Sequence, residues 1–436
     1  MLPSLRLILL VLAASPLFLA GTLIEGFSAI GVVYVIILGV YTSLDWLLLP
    51  KRKHVRITRK VPDRISLNVS TTIEVQIENL SRRTVDVSIC ENINSDLKAE
   101  PLHCVIRLKA GRTGTVKYRI TSAKRGVQTV DSMFVRMLPS LGLLYRQFRL
   151  NEPMKLEVFP NLVNIARYDL LARRGLTLQA GMARLRRIGQ GSEFESLRNY
   201  VIGDEISRID WKATAKRNAL IVRNYEPERQ QNVFVAIDAG RSTSGEFAGI
   251  SRLDYLVNAT LMLAFVALRQ KDQFSLIAFS NKIETYLPPV SGLKNIDRVA
   301  QSLFDLKGKM LESDYSAACR FISRYNRKRS LLCLLTDVTG IETNSIVIAH
   351  MTRFARQHLP LAITLKNPEI EQLADQPLST CSDLYSKAVA IDTIAARKEA
   401  LQLMRRKGVG ILDVSPDKLT PHLIKRYLDI KFKNQL

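Results

Sequence analysis

Residues 233–242 read Val-Phe-Val-Ala-Ile-Asp-Ala-Gly-Arg-Ser, an apolar run that stops at an aspartate and continues in small residues. A strand buried on both faces and ending at the carboxyl edge of a parallel sheet has this form. That edge is where α/β folds hold ligands, oxygen-liganded divalent cations among them. The same grammar continues to the end of the chain. Further strands are predicted at Gln273–Phe279, Leu331–Leu335, Leu361–Leu365 and Val409–Val414. Between them Leu253, Leu256, Val257, Ala264 and Leu268 fall at helical spacing, as do Val299, Leu303 and Leu306. Residues 231–436 are therefore expected to form a doubly wound α/β domain. A short edge strand opens near Ile283 and is expected to end at Pro288-Pro289.

The amino-terminal end follows another rule. Leu5–Ile24 and Phe27–Leu49 are nearly continuous apolar stretches, each close to the roughly 20 residues that cross a bilayer. Lys51-Arg52-Lys53-His54-Val55-Arg56 follows directly, a basic cluster of the kind retained on the cytoplasmic side. Residues 1–50 thus read as a transmembrane helical hairpin with both ends inside. A cleaved signal peptide is the alternative for the first stretch, with Ala14 and Ala20 as small residues for cleavage. The cytoplasmic placement survives it, because the second stretch then stops transfer.

Residues 51–160 change period to two. Ile65, Leu67 and Val69 alternate with polar neighbours, as do Ile73, Val75 and Ile77, then Val85, Val87 and Ile89. Val116, Tyr118 and Ile120 continue the pattern after Gly111 and Gly114. Short alternating strands between turn signals predict an antiparallel, immunoglobulin-like β-sandwich. Residues 161–230 read as a basic connector. The chain carries a net charge of +23, of which the first 50 residues contribute one positive and two negative charges, leaving +24 on the rest. An anionic membrane surface is the simplest counterpart for a tethered domain. No basic motif interleaved with aromatics points to nucleic acid, which is not expected as a partner. Five cysteines, without a Cys-x-x-Cys pair, fit a reducing compartment rather than a disulfide or zinc framework.

Three loops are expected to converge at the carboxyl edge of the α/β sheet. Asp238, Gly240 and Ser242 follow the first strand, Ser313 and Asp314 precede a helix near Ser316, and Asp337 closes Leu331–Thr336. Here the chain resembles the von Willebrand factor A domain, whose adhesion site reads Asp-x-Ser-x-Ser, then a Thr, then an Asp. The resemblance implies a Mg²⁺ site: Asp238 and Ser242 match the first and last positions of the pentad, Asp337 the distal aspartate, and Ser313 stands in for the threonine. Gly240 replaces the middle serine and removes one oxygen, a gap that water could fill. The competing reading makes Asp238 and Ser242 caps of the following turn.

A second motif occupies residues 189–223. Gly191, Glu193, Phe194, Leu197, Arg198, Tyr200, Gly203, Asp204, Arg208, Asp210, Trp211, Ala213 and Arg223 match the signature of the bacterial family called domain of unknown function fifty-eight, which the chain resembles over most of its length. Within this stretch Glu193, Glu195, Asp204, Glu205 and Asp210 are mixed with Arg198, Arg208, Lys212, Lys216 and Arg217. One reading is a structural ion-pair network anchored by Tyr200 and Trp211. The other is a docking surface on which Arg198 and Arg208 capture a partner's carboxylates. Glu193 with Asp204 lacks a histidine or nucleophile beside it, so an enzyme is not expected there. No histidine is expected beside the Asp238 cluster either.

The resemblance implies a bacterial inner-membrane protein with its soluble domains in the cytoplasm, acting by binding as an accessory to a MoxR-type AAA+ ATPase in the assembly or maturation of a protein complex. A metal-dependent hydrolase built on Asp238 and Asp337, and a purely structural membrane linker, are the alternatives.

Overall fold

In a computed structural model the apolar stretch 27–48 forms one 22-residue helix, Phe27–Leu48. At 1.5 Å per residue it is about 33 Å long, enough to cross a hydrocarbon core of roughly 30 Å. Among the described residues it is the one helix with that length and composition. The model describes residues 2–22, 27–62, 64–138, 142–160, 193–201, 204, 206–217, 219–226, 230–337, 341–377, 381–433 and 435. The first apolar stretch is broken instead into Leu5–Leu12 and Ala14–Gly21. Pro16 sits in the first turn of the second helix, where its missing N–H costs nothing, and it could not sit deep inside one continuous helix. The two-span hairpin expected from hydropathy is therefore reduced to one full-length helix plus two short apolar ones.

The chain divides into two compact units, Met1–Phe159 and Pro160–Leu436. In the first, the period-two segments become strands of an antiparallel sandwich. Thr71–Asn79 pairs with Val55–Lys60 and Thr113–Ser122, and Val85–Asn92 pairs with Ser132–Leu138 and His103–Leu108. Alternate residues of Thr71–Asn79 and Val85–Asn92 are buried, as period two demands. Ile73, Val75, Ile77, Val87, Ile89, Ile120, Met133 and Val135 share one core. A buried polar trio crosses it: the Tyr118 hydroxyl donates to Glu91 at 2.6 Å, and Arg59 pairs with the other oxygen of Glu91 at 3.1 Å. Burial raises the Glu91 carboxyl above its ordinary value.

Both ends of the apolar segment meet this sandwich at the same place. Leu2–Pro3 pairs with Leu144 and Tyr145, and Ser4 N donates to Leu143 O at 2.9 Å. From the far end, the buried Asp45 accepts the backbone N–H groups of Leu143 and Leu144 at 2.9 and 2.8 Å.

The second unit contains a six-stranded sheet. Its strands are β1 (Asn232–Asp238), β2 (Gln273–Phe279), β3 (Ile283–Ser291), β4 (Leu331–Leu335), β5 (Leu359–Leu365) and β6 (Gly410–Val414), in the spatial order 3-2-1-4-5-6. All neighbours are parallel except β2 and β3. The edge strand runs past the expected stop at Pro288-Pro289 because the register shifts between Phe274 and Leu276. That bulge leaves both prolines outside the ladder, where a missing N–H is tolerated. Among the described residues seven helices cover the sheet: α1 (Arg252–Arg269), α2 (Ile296–Phe304), α3 (Tyr315–Tyr325), α4 (Ile341–Phe354), α5 (Pro368–Asp375), α6 (Cys381–Arg406) and α7 (Leu419–Phe432). On one face α3, α4 and α6 bring Ile322, Met351, Leu401 and Met404 against Phe234, Leu332 and Ala362. On the other face α1 packs on β1, β2, α2 and α7. Covered on both faces, β1 and β4 are buried almost throughout, which is why they read as unbroken apolar runs.

Candidate functional site

Strand order reverses between β1 and β4, so the carboxyl ends of these two strands flank the topological switch point, the usual ligand position in open α/β sheets. Asp238 stands there, fully buried. Its Oδ1 accepts the Gly240 N–H at 2.9 Å and the Ser313 hydroxyl. Its Oδ2 accepts the hydroxyls of Ser242 at 2.8 Å, Tyr315 at 2.6 Å and Thr336 at 2.7 Å. A fifth hydroxyl, that of Thr243, donates to the Asp238 carbonyl at 2.8 Å and closes the turn beneath it. Burial and the adjacent Asp238 charge push the Tyr315 phenol up, so it stays a donor. Five donors thus converge on one carboxylate.

The site explains the glycine. A Cβ at position 240 would land on Ser313 Oγ and lie 2.8 Å from Leu311 O. The space a side chain would take at position 240 is filled by the Ser313 hydroxyl, arriving from the loop before α3. Sequence reading missed two contributors, Thr336 and Tyr315. Both were legible in principle: each adjoins a residue singled out for its charge, Asp337 and Asp314.

Asp337 faces other partners. Arg252 reaches its Oδ2 and Arg397 its Oδ1, both at 2.6 Å, and Arg397 also binds Asp413 at 2.8 Å and the Leu365 carbonyl at 2.9 Å. The structure thus brings Asp238, Ser242 and Ser313 together, while the Asp337 carboxylate is held one residue beyond Thr336 by two guanidiniums. For Mg²⁺, which takes six oxygens in near-octahedral array, this donor set fits poorly, because both oxygens of the distal carboxylate are engaged by arginines. Among the described residues no cluster of three His, Cys, Asp or Glu could hold a metal ion.

The surroundings differ from the inside of the ring. Lys309–Ser313 arches over the edge, with Lys309 N bonded to Ala239 O and Arg241 N bonded to Leu311 O, both at 2.8 Å. The arch leaves Met310 76% and Leu311 48% exposed. Beside it Lys309 and Ser280 bind Glu284 at 2.7 and 2.6 Å and lower its carboxyl below the ordinary value. His350, not expected near the site, places its Nε2 3.3 Å from the Oγ of Ser316, the residue after Tyr315. Burial lowers its imidazole, so it is neutral at pH 7.

The connector signature folds on itself. Glu193–Asn199 pairs antiparallel with Ile221–Glu226 around the helix Trp211–Arg217. Arg198 makes a two-pronged clamp on Asp204, at 2.7 and 2.6 Å, and Arg223 binds Asp210 at 2.9 Å. The fork of Arg198 is therefore engaged within the connector. The side chain of Arg208 and residues 161–192 lie outside the described residues. Trp211 is 64% exposed and does not serve as the apolar anchor expected of it.

Comparison with known proteins locates these features. The uncharacterized protein YeaD of Bacillus subtilis is 28% identical over 135 residues, covering 31% of this chain and 33% of its own length. The uncharacterized protein Rv1480 of Mycobacterium tuberculosis is 23% identical over 250 residues, covering 53% of this chain and 76% of its own. The chain thus spans about a third of the Bacillus relative it matches. Among solved structures, the PapD-like domain 7 of human CEP192 aligns with 24% of this chain and 84% of its own at 11% identity and a TM-score of 0.19. The YadV chaperone aligns with 24% and 52% at 17% identity and a TM-score of 0.18. The family model described as "Protein of unknown function DUF58" matches residues 196–408, from the Arg198–Asp204 clamp through the Asp238 ring to the end of α6.

Proposed function

We propose that this chain is a membrane-anchored binding protein whose α/β domain, of von Willebrand A type, docks a partner at the β1–β4 edge. The soluble units face the cytoplasm of a bacterial cell and an anionic membrane surface, and the partner is a MoxR-type AAA+ ATPase engaged in assembling a protein complex. One observation carries the reading: an exposed apolar tip, Met310-Leu311, stands on the arch that also delivers Ser313 to the buried, hydroxyl-ringed Asp238. Methionine and leucine side chains exposed beside a rigid polar support suit docking, because they adapt their shape to a partner surface. The strand order, with five parallel strands and one antiparallel edge, supports the von Willebrand A assignment. Mg²⁺ is a minor element of the proposal, since the arginines already compensate Asp337.

The test is capture of a purified MoxR-type ATPase by the detergent-solubilised chain. Met310→Asp with Leu311→Asp is expected to weaken capture at least tenfold, with an unchanged melting profile. Undiminished capture by that variant removes the edge from the mechanism. Added EDTA is expected to leave capture unchanged; a large loss with EDTA would restore the metal.

A further inference from the structure

On the far side of the Asp337 cluster lies a cavity of about 300 Å³ between α5, α6 and the carboxyl ends of β5 and β6. A helix face that looks into a domain is normally an apolar stripe. Of the seven α6 residues that line it, Arg397, Lys398 and Arg405 are cations, Thr393 and Gln402 are polar, and only Ile394 and Leu401 are apolar. Arg252 and Lys366 add two more from neighbouring elements, against only Glu371 and Asp413 among the lining residues.

The charges are unevenly compensated. Arg252 and Arg397 share Asp337, Arg397 also pairs with Asp413 at 2.8 Å, and Lys366 stands a loose 3.5 Å from Glu371, which leaves Lys398 and Arg405 as the lining cations without an ion pair among the described residues. Lys398 and Arg405 are exposed. Like charges gathered round one cavity repel each other unless an anion joins them. An ammonium and a guanidinium without a carboxylate partner among the described residues, at the wall of a cavity, suit an oxyanion with several acceptors. A phosphomonoester carries nearly two charges at neutral pH and three acceptor oxygens. Ile370, Ile394 and Leu401 offer an apolar wall for the organic part, and the volume matches the lower end of small-molecule sites.

We infer that this cavity binds a small organic phosphomonoester about the size of a mononucleotide, with the phosphate between Lys398 and Arg405. This site is independent of the Asp238 edge and of whatever docks there. The experiment is calorimetric titration of the full-length detergent-solubilised chain with adenosine monophosphate, glucose 6-phosphate and glycerol phosphate, with adenosine and succinate as controls. At least one phosphomonoester is expected to saturate, to weaken severalfold between 50 and 200 mM salt, and to weaken at least tenfold in the Lys398→Glu, Arg405→Glu variant. Because both residues are exposed, the variant should keep its wild-type melting profile; each single variant should show a smaller loss. Competition by phosphatidic acid in nanodiscs would make a lipid headgroup the source of the same phosphate chemistry. No saturable binding by any phosphomonoester overturns the site, as does binding that ignores the charge reversal. Equal affinity for succinate overturns the phosphate assignment.

Discussion

Position 240 shows how one missing atom organises a site. A serine placed there is expected to harm this protein. The added Cβ and hydroxyl would drive Ser313 away from Asp238 and press on Leu311 O. Gly240→Ser should therefore destabilise the α/β unit by about 1–3 kcal/mol, the usual cost of overpacking, read as a lower urea midpoint for the loss of helix signal. Asp337 makes the opposite point. Removing its charge leaves Arg252 and Arg397 facing each other with only Asp413 in reach, so Asp337→Asn should cost about 3–5 kcal/mol, as for other broken buried pairs. A milder loss would mean that the arginines turn to solvent. At this scale the sequence was half legible. Asp238, Ser242 and Ser313 stood out by their place after apolar runs. The engagement of Asp337 was hidden, because Arg252 and Arg397 lie 85 and 60 residues from it and no spacing rule joins them.

Among the elements, strands were the most legible part of the chain. In a strand buried on both faces or on one, composition follows burial directly, so β1, β4 and Thr71–Asn79 declared themselves by run or by alternation. The edge strand β3 was legible only to its prolines, since a bulge depends on the partner's register and not on its own residues. The Thr113–Ser122 and Val85–Asn92 strands carry a pH response. Burial raises Glu91, so between the ordinary glutamate range and that raised value the folded sandwich holds a proton that the unfolded chain has released. Stability contributed by this group falls as pH rises through the window and is regained on acidification. Amide exchange at Tyr118 and Ile120, corrected for intrinsic rate, should slow between pH 7 and pH 5, and Glu91→Gln should flatten that difference. Glu284 has the opposite sign: its lowered carboxyl adds stability that is present above its ordinary value and lost as pH falls through the lowered one.

For the molecule as a whole, hydropathy indicated membrane attachment but not its architecture. Window averages cannot register that Pro16 forces a break, nor that Asp45, a liability inside an apolar helix, is used by a sandwich nearly 100 residues away. Asp45→Ala should leave the Leu143 and Leu144 N–H groups without acceptors, a cost of about 1–3 kcal/mol each, seen as faster exchange of those two amides. The basic cluster after residue 50 predicts orientation: a cysteine at Lys109→Cys, exposed on the sandwich, should resist an impermeant maleimide in intact cells and react after lysis. Labelling in intact cells would invert the topology.

The entry and exit of the apolar segment both fasten to Leu143–Tyr145, and only residues 49–54 separate the long helix from the first sandwich strand. Such a joint has no slack. A tug or twist applied to the sandwich would be felt by the helix at once, so helix and sandwich behave as one stiff body and not as a ball on a string.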